Sequence, residues 1–265
     1  MKKLKKFFGG VYLALIFVFL YAPIATLIAY SFNAGKGRKW DGFTFKWYEK
    51  MLDSASIGNA VSNTLSIAFL SALIATVIGV VSCIGIMALK KKPKAAYMAI
   101  NNIPLLNSDL VTGLSLMLLF IAVGVTSGYE TVLLAHISFN IPYVILSVLP
   151  RLRQANPATY EAAIDLGAKP VRAFLTVVIP EIMPGVVSGF LMAFTMSLDD
   201  FIITHFTKGP GINTISTLIY GEIRRGITPS MNALSTVMFL SAIVLLVLTN
   251  LVSNKNQPER RHRDT

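Results

Sequence analysis

Apolar residues along the chain gather into six long blocks, residues 11–32, 60–89, 96–125, 131–149, 183–207 and 232–252. Each is close to or above the roughly 20 residues that an α-helix needs to cross a bilayer core. Hydrocarbon offers no water to backbone N–H and C=O groups, so each block must satisfy them within its own helix. The pattern predicts an all-α, polytopic membrane protein with six transmembrane helices over residues 1–253. Residues 254–265 are expected to form a polar, disordered tail. The polar interval between the fourth and fifth blocks, about 150–182, has a helical pattern of its own. Asn156 suits an N-cap and Pro157 the first helical position. Glu161, Ala162, Ala163 and Leu166 favour helix, and Gly167 can take the left-handed conformation that ends one. Pro170 is expected to restart a helix and Pro180 to stop it. The alanines present a flat face that another protein surface can approach closely.

Composition agrees with the pattern. Of 265 residues 54% are hydrophobic and 14% charged, where a soluble domain carries about 25% charge. Mean hydropathy is +0.63. The net charge of +11 sits beside apolar blocks, so it sets orientation rather than marking a nucleic-acid partner. Lys2, Lys3, Lys5 and Lys6, then Lys90, Lys91, Lys92 and Lys94, then Arg151, Arg153, Lys169 and Arg172, then Lys255, Arg260, Arg261 and Arg263 make sixteen on one side. The other side holds eight: Lys36, Arg38, Lys39, Lys46, Lys50, Lys208, Arg224 and Arg225. This bias places both termini and the 150–182 loop in the cytoplasm. The first block is too long for a signal-peptide core and no small-x-small cleavage site follows it, so it is expected to remain as a span. The single cysteine, Cys83, lies inside a block and admits no internal disulfide.

Acids inside the blocks carry the candidate chemistry. Asp109 falls near the middle of the third block, and Asp199 and Asp200 in the outer half of the fifth. No Lys or Arg lies inside any block. A charge in the bilayer core is costly, so such residues face a water-filled path or a partner. An acidic path without basic counter-ions favours a cationic substrate over an anion. Successive helical residues diverge by about 100°, so Asp199 and Asp200 cannot share a direction. Asp199 shares a partly polar face with Ser188, Met192 and Thr195 and is the first choice for the path. Asp200 is balanced between the path and a hydrogen bond at a helix interface. Around Asp109, residues 101–108 are polar for a span and contain Pro104, which favours an interrupted helix lining a cavity. His136 and His205 lack a spaced acid partner and are expected in helix interfaces rather than at a metal. Trp40, Phe43, Phe45, Trp47 and Tyr48 favour an aromatic belt at the headgroups, with a docking surface as the alternative. After the turn at Gly209, Pro210 and Gly211, the spacing of Ile215, Leu218, Ile219 and Ile223 predicts a helix lying on the membrane surface.

The order Glu161-Ala162-Ala163, three residues, Gly167, nine residues, then Val177-Val178-Ile179-Pro180 resembles the EAA loop of ABC-importer permeases, with Val177 and Ile179 as conservative departures. Met196-Ser197-Leu198-Asp199-Asp200-Phe201, Tyr21-Ala22-Pro23-Ile24, Ser31-Phe32-Asn33 and Ser230 to Thr236 are similar to the spermidine/putrescine branch of that family. The resemblance implies a type I importer permease fold in a bacterial cell membrane, with no catalytic residues. Glu161, Ala162, Ala163 and Gly167 would form the coupling helix on an ATPase subunit dimer. A second homologous permease subunit and an extracytoplasmic polyamine-binding protein would complete the importer. ATP and Mg would bind the ATPase, since no Gly-x-x-x-x-Gly-Lys-Ser/Thr loop occurs in this sequence. Asp109, Asp199 and Asp200 would line the polyamine path. The alternatives are import of another small cation and, from a different class, an intramembrane aspartyl hydrolase using Asp109 and Asp199 as an acid–base pair.

Overall fold

A computed structural model of the chain describes residues 2–35, 39–225 and 228–255. In order its helices are α1 (Lys2–Ser31), α2 (Lys46–Leu52), α3 (Ala55–Ala88), α4 (Lys91–Asn101), α5 (Ile103–Leu106), α6 (Asp109–Val123), α7 (Tyr129–Gln154), α8 (Pro157–Asp165), α9 (Pro170–Ala173), α10 (Ile179–Asp199), α11 (Ile202–Thr207), α12 (Ile215–Arg225) and α13 (Pro229–Lys255). A π-helical stretch, Phe174–Val178, joins α9 to α10. Among the described residues the only β pairing is an isolated bridge between Asn33 and Phe43.

Among the described residues, four stretches are long and apolar enough to cross a membrane: Gly9–Ser31, Ala55–Ala88, Tyr129–Gln154 and Pro170–Asp199. They carry the first, second and fourth expected blocks and most of the fifth. The last block falls on α13, which has 27 residues. The third block is divided among α4, α5 and α6, with breaks at Asn102 and at Asn107 and Ser108. Asn107 is extended, and the Ser108 side chain caps α6 by accepting from the Val111 N–H at 3.4 Å. With 15 residues, α6 rises about 22 Å, short of a core roughly 30 Å thick. Asp109 therefore lies in the first turn of a helix, where the exposed N–H groups favour negative charge.

Pro180 does not stop the helix that Pro170 begins. It sits in the first turn of α10, directly after the π-helical stretch, whose wider ladder already lacks the bond a proline would remove. Asn254 and Lys255 close α13, and the rest of the expected tail, 256–265, lies outside the described residues.

The chain divides into two units, residues 1–57 with 219–265, and residues 58–218. In the first, α13 packs against α1 and α2. The loop after α1 is organised by buried Asn33: its Nδ2 donates to the Lys39 carbonyl at 2.7 Å, and its Oδ1 accepts from the Asp41 N–H at 2.8 Å. The Asn33 carbonyl accepts from the indole of buried Trp47 at 2.7 Å. Phe32, Phe43, Phe45 and Tyr48 stand ring against ring beside it. The loop aromatics thus form a folded cluster, with Trp40 exposed.

In the second unit α3, α7 and α10 share a core that includes Ala72, Ala75, Ile86, Val144, Ile145 and Ile182. Gly185 and Gly189, four apart on one face of α10, let it approach α7 closely. A Cβ on Gly189 would lie 3.3 Å from Val144 Cα, and one on Gly185 would lie 2.7 Å from Arg151 Cγ. Similarly, α11 crosses α6 where a Cβ on Gly113 would lie 3.2 Å from Ile203 Cα. The start of α12, expected on the membrane surface, is held inside this unit instead. Ile215 and Leu218 are buried, and the Ile215 N–H donates to Thr64 Oγ1 of α3 at 2.8 Å.

Candidate functional site

Two helix breaks meet in the second unit, and a cavity of about 170 Å³ opens where they do. The first turn of α6 contributes Asp109, α7 contributes Phe139 and Tyr143, and the last turn of α10 contributes Thr195, Met196 and Asp199; Asp200 and Ile203 complete the wall. Thr195 and Asp199 are four apart and share a helix face. All three sequence-chosen acids are therefore brought to one place. Among the described residues lining the cavity there is no Lys or Arg.

The acids differ in their surroundings. Asp109 and Asp199 are exposed, and among the described residues neither carboxylate has a hydrogen bond or ion pair. Asp200 is extended (φ −65°, ψ 126°), which ends α10. Its side chain is only 7% exposed. Its Oδ2 accepts from the Thr204 N–H at 2.7 Å and from Thr204 Oγ1 at 2.8 Å, and its Oδ1 accepts from the Ile203 N–H at 3.2 Å. It thereby satisfies donors at the start of α11 that have no partner within that helix. The Asp200 carbonyl accepts from Ser216 Oγ at 2.7 Å.

His136 lies behind this carboxylate, 1% exposed, with Nε2 3.4 Å from Asp200 Oδ2. The same nitrogen is 2.9 Å from Thr204 Oγ1, and Nδ1 is 2.6 Å from Ser197 Oγ. Ser71 of α3 donates to Ser197 at 3.2 Å, and Asn140 Nδ2 donates to Ser71 at 3.2 Å. A buried polar network thus runs across α3, α7, α10 and α11. His136 occupies the helix-interface position expected for it. His205 is exposed, beside the rings of Phe201 and Phe206. The described residues contain no group of three or more His, Cys, Asp or Glu placed to hold a metal.

The second candidate region is the loop around α8. Asn156 caps the helix, its Oδ1 accepting from the Ala158 N–H at 3.1 Å, and Gly167 ends it at φ +88°. Glu161 and Ala162 are exposed and Ala163 is half-buried. Glu181, in the first turn of α10, accepts from the Asn156 N–H at 3.2 Å and so ties α8 to α10. Leu166 is 89% exposed and Val171 71%.

Sequence reasoning passed over Tyr143, Phe139, Ser197 and Leu166. Tyr143 and Phe139 are four apart on α7, a spacing that marks a shared face but not what it meets. Ser197 lies within the motif around Asp199 and carries no signal by itself. Leu166 could have been found as an apolar residue in a loop that its neighbours' pattern does not bury.

Comparison with known proteins agrees with this geometry. The family described as "Binding-protein-dependent transport system inner membrane component" matches residues 76–261. The chain is 34% identical over 251 residues to the spermidine/putrescine transport system permease protein PotC of Haemophilus influenzae, covering 94% of this chain and 98% of that one. It is 37% identical over 236 residues to the putrescine transport system permease protein PotI of Escherichia coli, covering 86% and 84%. Among solved structures, a bacterial ABC transporter involved in the import of the acidic polysaccharide alginate superposes with a TM-score of 0.71 at 18% identity, covering 97% and 98%. The MetNI methionine ABC transporter in inward-facing conformations gives 0.60 at 17%, covering 78% and 95%. At those identities the structural likeness establishes the fold and leaves the solute open. The chain belongs to the family of binding-protein-dependent transport system inner membrane components, and is a multi-pass ABC-importer permease, a transport subunit rather than an enzyme.

Proposed function

We propose that this subunit passes polyamines, spermidine or putrescine, into the cell through the cavity between α6, α7 and α10. One observation carries the reading: among the described residues, Asp109 and Asp199 present carboxylates without hydrogen-bond or ion-pair partners to a cavity lined by no basic residue. Carboxylates at membrane depth are retained where they meet a cation or water. A polyamine ammonium donates charge-assisted hydrogen bonds to them, roughly twice as strong as neutral ones. Phe139 and Tyr143 offer ring surface to the methylene chain. Asp200 lines the wall beside them. The names of the curated relatives support the same solute class.

The exposed α8 docks on an ATPase dimer, with Leu166 and Val171 as its apolar contacts, in keeping with the roles given to Glu161, Ala162, Ala163 and Gly167. ATP and Mg belong to that dimer. A second permease subunit closes the path, and an extracytoplasmic binding protein delivers the solute. The sixteen-to-eight distribution of Lys and Arg supports cytoplasmic termini and a cytoplasmic α8. ATP acts by stabilising one permease state over the other, and Glu181 passes the shift from α8 to α10.

The test is ATP-dependent uptake of labelled spermidine and putrescine into proteoliposomes holding the full complex. Wild type imports at least one of them, and Asp109→Asn and Asp199→Asn lose uptake while the complex stays assembled. A complex that moves neither polyamine but hydrolyses ATP in response to another solute overturns the substrate and keeps the permease.

A further inference from the structure

Within the cavity reading just proposed, on which this inference rests, we propose that Asp200 and His136 are positioning residues. They do not bind the solute; they hold the α10–α11 break so that Asp199 alone presents its carboxylate at that corner. The side-chain hydrogens have a consistent direction. Thr204 Oγ1 donates to Asp200 Oδ2, so the contact between Thr204 Oγ1 and His136 Nε2 at 2.9 Å requires the hydrogen on Nε2. Nδ1 is then free to accept from Ser197 Oγ at 2.6 Å. Ser197 in turn accepts from Ser71, and Ser71 from Asn140. Donors from α3 and α7 thus run in one sense toward the Asp200 carboxylate.

That carboxylate accepts from Ile203 N, Thr204 N and Thr204 Oγ1 with His136 Nε2 at 3.4 Å, and the Asp200 backbone carbonyl accepts from Ser216 Oγ. Oδ2 thus holds two donors with His136 beside it, and Oδ1 holds one. The same bonds hold Asp200 extended at the break, where α10 ends with Asp199 in its last turn. Asp199, one residue earlier and exposed, has no such partners among the described residues.

The test reads the position of residue 199 without using the solute. In the assembled complex with Cys83→Ala, Asp199→Cys and Asp109→Cys are each treated with trimethylammonium-ethyl methanethiosulfonate, and modification of this chain is followed by its mass. Adding His136→Leu lowers the rate at 199 about tenfold, the scale of losing one hydrogen bond to a charged group, and leaves the rate at 109 unchanged. His136→Gln, which keeps a donor, restores much of it. Ser197→Ala removes one arm only, decides the matter if His136→Leu fails to assemble, and gives a smaller loss at 199 alone. Unchanged reactivity at 199 in these variants, or equal losses at 199 and 109, overturns the positioning role. If the wild-type complex imports no polyamine while the selective loss at 199 holds, the substrate falls and the positioning role stands.

Discussion

The cavity and the polar network beside it share α7, the end of α10 and Asp200, yet their chemistry is opposite. In the cavity Asp109 and Asp199 stand exposed with no partner among the described residues. In the network Asp200 is 7% exposed and collects bonds from Ile203 and Thr204 with His136 beside it. One peptide bond separates the two environments. A carboxylate that already holds several protein donors contributes to fold; a carboxylate without donors costs stability unless a cation or water meets it.

The largest expected effect comes from removing both regions together. Gly189→Leu places a side chain where Val144 Cα is 3.3 Å from the first added carbon, forcing apart the two helices that carry cavity and network. Overpacking of this kind costs typically about 1–3 kcal/mol and often more against backbone. The yield of assembled complex and its thermal midpoint in detergent should both drop. Next comes the dissociation of neighbours. Asp200→Ala leaves His136, Thr204 and two backbone donors with a lost acceptor, and removal of such a buried charged acceptor costs about 1–3 kcal/mol. Asp199→Ala, at an exposed site, should stay within about 0.5 kcal/mol. Uptake should be lost in both, so only the unfolding midpoint separates them; equal midpoints would erase the distinction.

A finer test sharpens the cavity side alone. Asp109→Asn and Asp199→Asn keep shape and remove charge, so labelled-spermidine uptake should fall about tenfold or more per carboxylate, the scale of one charge-assisted bond, with the thermal midpoint unmoved. The smallest structural effect is expected far from both regions. Leu166→Ser, at a residue 89% exposed, should leave folding unchanged within about 0.5 kcal/mol yet weaken co-purification of the ATPase. Retained co-purification would remove Leu166 from the docking face.

Much of the fold was legible because membranes impose long-range order on local sequence. Six apolar blocks, the Asn156–Pro157 start of α8 and the Gly167 stop all act within one helix, so pattern alone reveals them. Pro104 with the polar run around it announced an interrupted third span, and the structure places breaks at Asn102 and at Asn107 and Ser108. Pro180 misled because a proline's cost depends on the ladder before it, and the π-helical stretch had already opened that ladder. Ile215 and Leu218 misled because an amphipathic face looks the same whether it meets headgroups or a second helix; Thr64 on α3 decided between them.

What the amino-acid sequence determined by itself is the set of apolar blocks, the polar loop with its capped helix, and the presence of acids without basic partners in those blocks. These follow from hydrophobic spacing, capping chemistry and the cost of charge in hydrocarbon, all of which act over a few residues. Only the tertiary structure decided which acid is free. Asp199 and Asp200 are chemically identical neighbours, and their difference depends on His136 and Ser216, which lie 64 and 16 residues from Asp200 and reach it only when α7 and α12 fold around the end of α10.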